Sequence, residues 1–149
     1  SKPFAFEFQN FLPIFGMLKN AILVIAILST LQAQDGLPFE IDIRSRIINE
    51  SKLLVNVQVT NLVDRPLDYL EGFIREVNSQ GELLDEKRMV ILYSYEPPLQ
   101  TGFSSTKSIA YPLPGEKPNS YEFHIAKLKF IGESRVFTWH PKIGFIRID

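Results

Sequence analysis

In "KLLVNVQVTN", Lys52 to Asn61, the residues Leu53, Val55, Val57 and Val59 alternate with Leu54, Asn56, Gln58 and Thr60. A period of two over ten residues is that of a strand with one buried and one wetted face. Upstream, "FEIDIRSRI" repeats the pattern, with Phe39, Ile41 and Ile43 set against Glu40, Asp42 and Arg44. Downstream, "LDYLEGFIREV" is apolar on both faces, as expected of a more central strand, with an irregularity near Gly72. "NSQG", Asn78 to Gly81, supplies turn residues, so this strand and the following "ELLDEKRMVIL" form a hairpin.

Further along, "YSYEPPLQTGF" holds Pro97 and Pro98, which lack amide donors and place the segment in a loop or an edge crossing. "SSTKSIAY" is a short strand and "PLPGEKPNS" a long turn. In "YEFHIAKLKF" the alternation of Tyr121, Phe123 and Ile125 slips by one to Ala126, Leu128 and Phe130, the signature of a bulge or bend near Ile125. "SRVFTW" and "IGFIRID" offer one or two closing strands around His140-Pro141. No amphipathic helix is expected after residue 34. About seven short strands without helical crossovers point to an all-β antiparallel sandwich of immunoglobulin-like type, with a closed barrel as the rival.

The N-terminal part is of another kind. "MLKNAILVIAILSTLQAQDG", Met17 to Gly36, has a head with Lys19, an apolar run from Ala21 to Leu28, and a small residue, Ala33, for cleavage. The uninterrupted run is about a dozen residues, short against the roughly 20 of a membrane span. The favoured expectation is a signal peptide starting at Met17, with residues 1–16 upstream of it. The alternative counts the apolar stretch from Phe11 to Leu31 as an anchor, with Lys19 and Asn20 inside it at a cost. Either way the expected division is a leader over 1–33 and one domain over 34–149.

Composition narrows the function. The chain has 16 Lys+Arg against 17 Asp+Glu; removing Lys2, Lys19 and Glu7 with the leader leaves 14 against 16. A balance this even gives no electrostatic reason to bind nucleic acid or an anionic membrane, so a membrane enters only through the N-terminal segment if it stays uncleaved. There are no cysteines, hence no disulfides and no lipid-bearing Cys after the signal. Hydrophobic residues at 45% and aromatics at 12% suffice for a core.

The turns carry a resemblance. Asn61, Asp64 and Pro66 fill a first turn, Asn78 and Gly81 a second, and Pro114-Gly115 a third. Over residues 53–130 this spacing resembles the extracytoplasmic immunoglobulin-like domains of bacteria, the FxLYD type among them. The resemblance implies a binding or scaffold module without catalytic residues.

Little in the sequence points to catalysis. His124 and His140 do not stand in a metal-ligand spacing, no G-x-S-x-G elbow or glycine-rich phosphate loop occurs, and nucleophilic cysteines are absent. Asp64, Asp68 and Glu71 cluster around a turn, where capping by Asp64 is the expected role and calcium the rival. The expectation is a non-enzyme without cofactor or metal. Two surfaces are candidates for binding. Tyr93, Tyr95 and Phe103 stand beside two prolines, a composition suited to a stacking platform. Trp139 and His140 lie among basic residues near the C-terminal strands, where aromatics and arginine mark interfaces. The expected function is an exported module, in the periplasm, at the cell surface or secreted, that docks a protein partner through an edge strand or the tyrosine loop, or serves a structural role in the cell envelope. A carbohydrate-binding module using the same aromatics is the first alternative, and a metal-binding protein or enzyme using His124 and His140 the second.

Overall fold

The computed structural model describes residues 36–115 and 118–149; the leader expected over 1–33 lies outside them. Eight strands and no helix are present among the described residues. They are β1 (Phe39–Asn49), β2 (Lys52–Asn61), β3 (Leu67–Val77), β4 (Leu83–Leu92), β5 (Ser104–Pro112), β6 (Ser120–Phe130), β7 (Phe137–His140) and β8 (Gly144–Arg147). Two antiparallel sheets result, one of order β1-β2-β5 and one of order β4-β3-β6-β7-β8.

The alternation in β2 maps directly onto burial. Leu53, Val55, Val57 and Val59 lie in the core, and Asn56, Gln58 and Thr60 form the outer face. There they meet β5 across the ladder: Thr60 bonds Ser104 at 2.6 Å and Thr106 bonds Gln58 at 3.3 Å. The opposing sheet contributes Leu67, Leu70, Ile74, Ile91, Phe123, Leu128 and Trp139 to the same core. This places the apolar side of each strand between the sheets.

The two irregularities expected near Gly72 and Ile125 are one feature. Across the β3–β6 pair, Gly72 stands opposite Ile125 and Glu71 opposite Lys127, so Ala126 is the extra residue of a bulge. The β3–β4 pair shifts at the same level, with Leu70 opposite Leu92 and Glu71 opposite Val90, leaving Ile91 extra. Gly72 permits the close approach: a Cβ built there would overlap the His124 carbonyl oxygen and stand 2.6 Å from the Phe123 ring. At the far end of β3, Gly81 takes φ +82° in the hairpin turn, whose backbone amides at Gln80 and Glu82 donate to Asn78 Oδ1, each at 2.9 Å.

The sheets are unequal, and this sets the shape of one side. β5 lies across from β4, where Ser105 Oγ donates to the Ile91 carbonyl at 2.7 Å and Lys87 sits 4.7 Å from the Tyr111 ring centroid. β1 lies across from β6 and β7, with Phe39 edge-on to Trp139 at 5.6 Å. Phe39 also stands edge-on to Phe145 of β8, with ring centroids 5.9 Å apart.

Candidate functional site

Two surfaces gather the expected site residues, one along the edge of β1 that no described strand covers and one at the loop end of the sandwich. At the first, Leu62 N–H donates to the Pro38 carbonyl at 2.8 Å. This fixes the alternation of β1: even-numbered residues bond β2, while Phe39, Ile41, Ile43, Ser45 and Ile47 turn their backbone groups outward. Facing this edge is a hollow of about 60 Å³, lined among others by Ile41, Ile125, Trp139 and His140. Ile41 and Ile43 are only partly buried although their side chains point to the core.

Trp139 is 7% exposed, so its indole is a wall of the hollow and not a surface contact. His140 is exposed, and its Nδ1 accepts the Lys142 backbone N–H at 3.1 Å, which closes the β7–β8 turn. His124 lies on the outer face of β6 and pairs with Glu122 at 3.2 Å. Each imidazole thus has a local partner, and no group of three or more metal-ligating side chains converges among the described residues. The expected carboxylate cluster is also dispersed. Glu71 faces the outer surface, where its carboxylate accepts from Tyr69 Oη at 2.6 Å and from Arg88 Nε at 2.8 Å. The Arg88 hydrogen bond holds the Glu71 carboxyl below its ordinary value, against the opposing effect of burial.

At the loop end, Tyr93 and Tyr95 stack with ring centroids 5.0 Å apart and planes at 23°. Tyr95 is 81% exposed and Phe103 66%. The loop is held at its root by Glu96, which accepts the Tyr93 backbone N–H at 2.8 Å and pairs with Lys107 at 3.0 Å. The same two contacts, the backbone amide first, lower the Glu96 pKa.

Asn61 ties the ends of this loop to its neighbour. Its side-chain amide donates to the Arg65 and Leu99 carbonyls, both at 2.9 Å, and its Oδ1 accepts from Val63 N–H at 3.0 Å. Its backbone N–H donates to Phe103 and its carbonyl accepts from Gly102. The turn cap expected of Asp64 is therefore supplied by Asn61, which is fully buried and reaches both loops, whereas Asp64 is exposed.

No family model and no curated protein matches the chain. Solved structures do. A putative ApaA protein from Bordetella pertussis aligns with a TM-score of 0.50 at 14% identity, over 74% of this chain and 88% of that one. A second Northeast Structural Genomics Consortium target aligns with a TM-score of 0.50 at 9% identity, over 75% of this chain and 83% of that one. At such identities the likeness is one of fold alone.

The open side of that fold is where chemistry of recognition is available. Among the described residues no strand pairs with the outward N–H and C=O groups of β1, which supply direction, and the half-buried Ile41 beside the hollow supplies burial. Ile41 was not singled out in the sequence because its position in an alternating strand looks like any core residue. Only the count of strands in each sheet makes it an edge.

Proposed function

We propose that the chain is an exported, non-catalytic module of immunoglobulin-like type that docks a protein partner by strand addition along β1. The order β1-β2-β5 against β4-β3-β6-β7, with strand-to-strand crossings between sheets, supports the immunoglobulin-like assignment; β8 is an addition at one edge. Export is supported by the three-part segment from Met17 to Ala33, and places the domain in the periplasm, at the cell surface or outside the cell.

The observation that carries the docking proposal is the mismatch of three strands against five. An extended segment added beside β1 satisfies the outward backbone groups of Ile41, Ile43 and Ser45 and covers the inner side of β7 and β8. Main-chain bonds give affinity in this mode, and alternate side chains entering the hollow beside Trp139 give specificity.

Ser45→Pro tests this without touching the core. Ser45 is exposed and its N–H points to the free edge, so proline removes only a donor that a partner strand would use. Capture of a protein from envelope extracts by the wild-type chain, lost severalfold with Ser45→Pro at unchanged thermal stability, is the expected result. Equal capture by both, or none above control, sinks the proposal.

A further inference from the structure

The charges of β1 stand in an order that fits a second copy of the strand. On its outer face Glu40 and Asp42 come first and Arg44 and Arg46 follow, with Ile43 at the midpoint of the sequence between them. Arg44 Nε donates to Asp42 at 2.8 Å, whereas Glu40 and Arg46 are exposed and have no ion pair among the described residues. We propose that β1 pairs antiparallel with β1 of a second copy about a twofold axis through Ile43, joining the two β1-β2-β5 sheets into one. The inference rests on the reading of β1 as an edge that accepts a strand, and it names the strand.

The backbone fixes which registers are open. In an antiparallel ladder, residues that turn their N–H and C=O groups outward must stand opposite one another. In β1 these are the odd-numbered residues, so Ile43 faces Ile43 of the second copy and Ile41 faces its Ser45. The even-numbered side chains then meet in the closer, non-hydrogen-bonded pairs: Asp42 opposite Arg44 of the second copy, and Glu40 opposite its Arg46. Symmetry makes each of these pairs twice. A shift of two residues one way sets Asp42 against Asp42, and the other way Arg44 against Arg44. An in-register parallel pairing sets like charges together at all four positions. Only the axis through Ile43 satisfies both the backbone and every charge.

Nothing in β1 guards against such pairing. It holds no proline, its inner-face residues Phe39, Ile41, Ile43, Ser45 and Ile47 carry no charge, and its ladder with β2 is regular from Phe39 to Ile47. The inner face is also divided at the proposed axis. Phe39 packs on Trp139 and Phe145, and Ile41 borders the hollow with Trp139 and His140, so β7 and β8 lie against the first half of the strand. A hollow beside Ser45 and Ile47 is lined instead by residues such as Leu53, Leu113 and Pro114, and Ile47 is 65% exposed. The twofold axis sets the covered half of each β1 opposite the open half of the other, with Phe39 facing Ile47. This keeps the two β7–β8 hairpins apart along the strand direction.

Charge reversal tests the register. Two forms of the full chain are made, one with Glu40→Lys and Asp42→Lys, the other with Arg44→Glu and Arg46→Glu. All four side chains lie on the outer face, so the core is untouched. Sedimentation velocity over a concentration series reads the association. The expected result is a dimeric wild type and, for either form alone, self-association weakened roughly tenfold or more. An equimolar mixture of the two should regain the dimer, because acid again faces base at every position. Ser45→Pro keeps the charges but removes a donor from the ladder, and should weaken the wild-type dimer as well.

A wild type that stays monomeric throughout overturns the proposal. So does equal association of the wild type and both reversed forms, which would place the contact elsewhere on the chain. A mixture that stays monomeric, although both forms melt at the wild-type temperature, overturns it too. The fate of strand docking is read separately. A monomer that still captures another protein through Ser45 ends self-pairing alone, and a dimer that captures nothing else ends docking of a foreign partner alone.

Discussion

Glu71 shows what a single side chain contributes on an otherwise ordinary sheet surface. It stands at the level of both bulges, is buried though on the outer face, and takes hydrogen bonds from Tyr69 and Arg88. The Arg88 bond lowers its pKa, so the folded state holds the charged carboxylate more strongly than the unfolded chain does. The stabilisation is complete above the unfolded value of about 4.3 and is lost as pH falls through the lower folded value. Glu71→Gln should cost about 1 kcal/mol at pH 7, small because Arg88 is more than half exposed, and the gap from wild type should be narrower at pH 3. Urea denaturation at both pH values checks this; a gap that widens in acid refutes the assignment. Nothing in the sequence marks Glu71 apart from Asp68, since burial on an outer face depends on neighbours from two other strands. Asn61 was legible as a turn residue, but its reach to Leu99, 38 residues away, was not. Tyr95 and Phe103 were legible as surface candidates because prolines beside them exclude a ladder. Trp139 was not placed by its neighbours in sequence, and its burial follows from Phe39 packing on it.

Strands were readable wherever side chains alternate, and β2 spans the segment the pattern marks out. Alternation reports burial on one face, which is a property of the element itself. The slip in β6 was readable for the same reason: an extra residue inverts the pattern beyond it. What alternation cannot give is the partner strand, and so the match between that slip and Gly72 appears only in the paired sheet. Gly72→Ala tests this match. The added methyl would press on the His124 backbone carbonyl and the Phe123 ring, and neither can withdraw without moving β6. A loss of about 3 kcal/mol is expected, at the upper end for overpacking a core. Gly81→Ala serves as the comparison, where the space is open and only the positive φ is strained. Equal thermal shifts for the two variants would mean that β3 and β6 do not approach closely at the bulge.

At the scale of the whole molecule, three strands facing five leave one side unfinished. Val55, Val57 and Val59 of β2 are fully buried, whereas Ile41 and Ile43 of β1, beside which no described strand lies, are only partly so. Hydrogen exchange should follow this gradient. Amides of Val55 and Val57, which bond β5 across the centre of the smaller sheet, should exchange at the slow limit set by global unfolding. Along β1 the rates should alternate: Asp42 and Arg44, bonded to β2, slow, and Ile41, Ile43 and Ser45, directed outward, fast. A docked strand would reverse only the second set, whereas a ligand binding elsewhere would slow both by raising overall stability. If the free protein already protects Ile41, Ile43 and Ser45, the edge is covered by another copy of the chain. Strand docking would then have to compete with self-association, and protection at those three amides would fall on dilution.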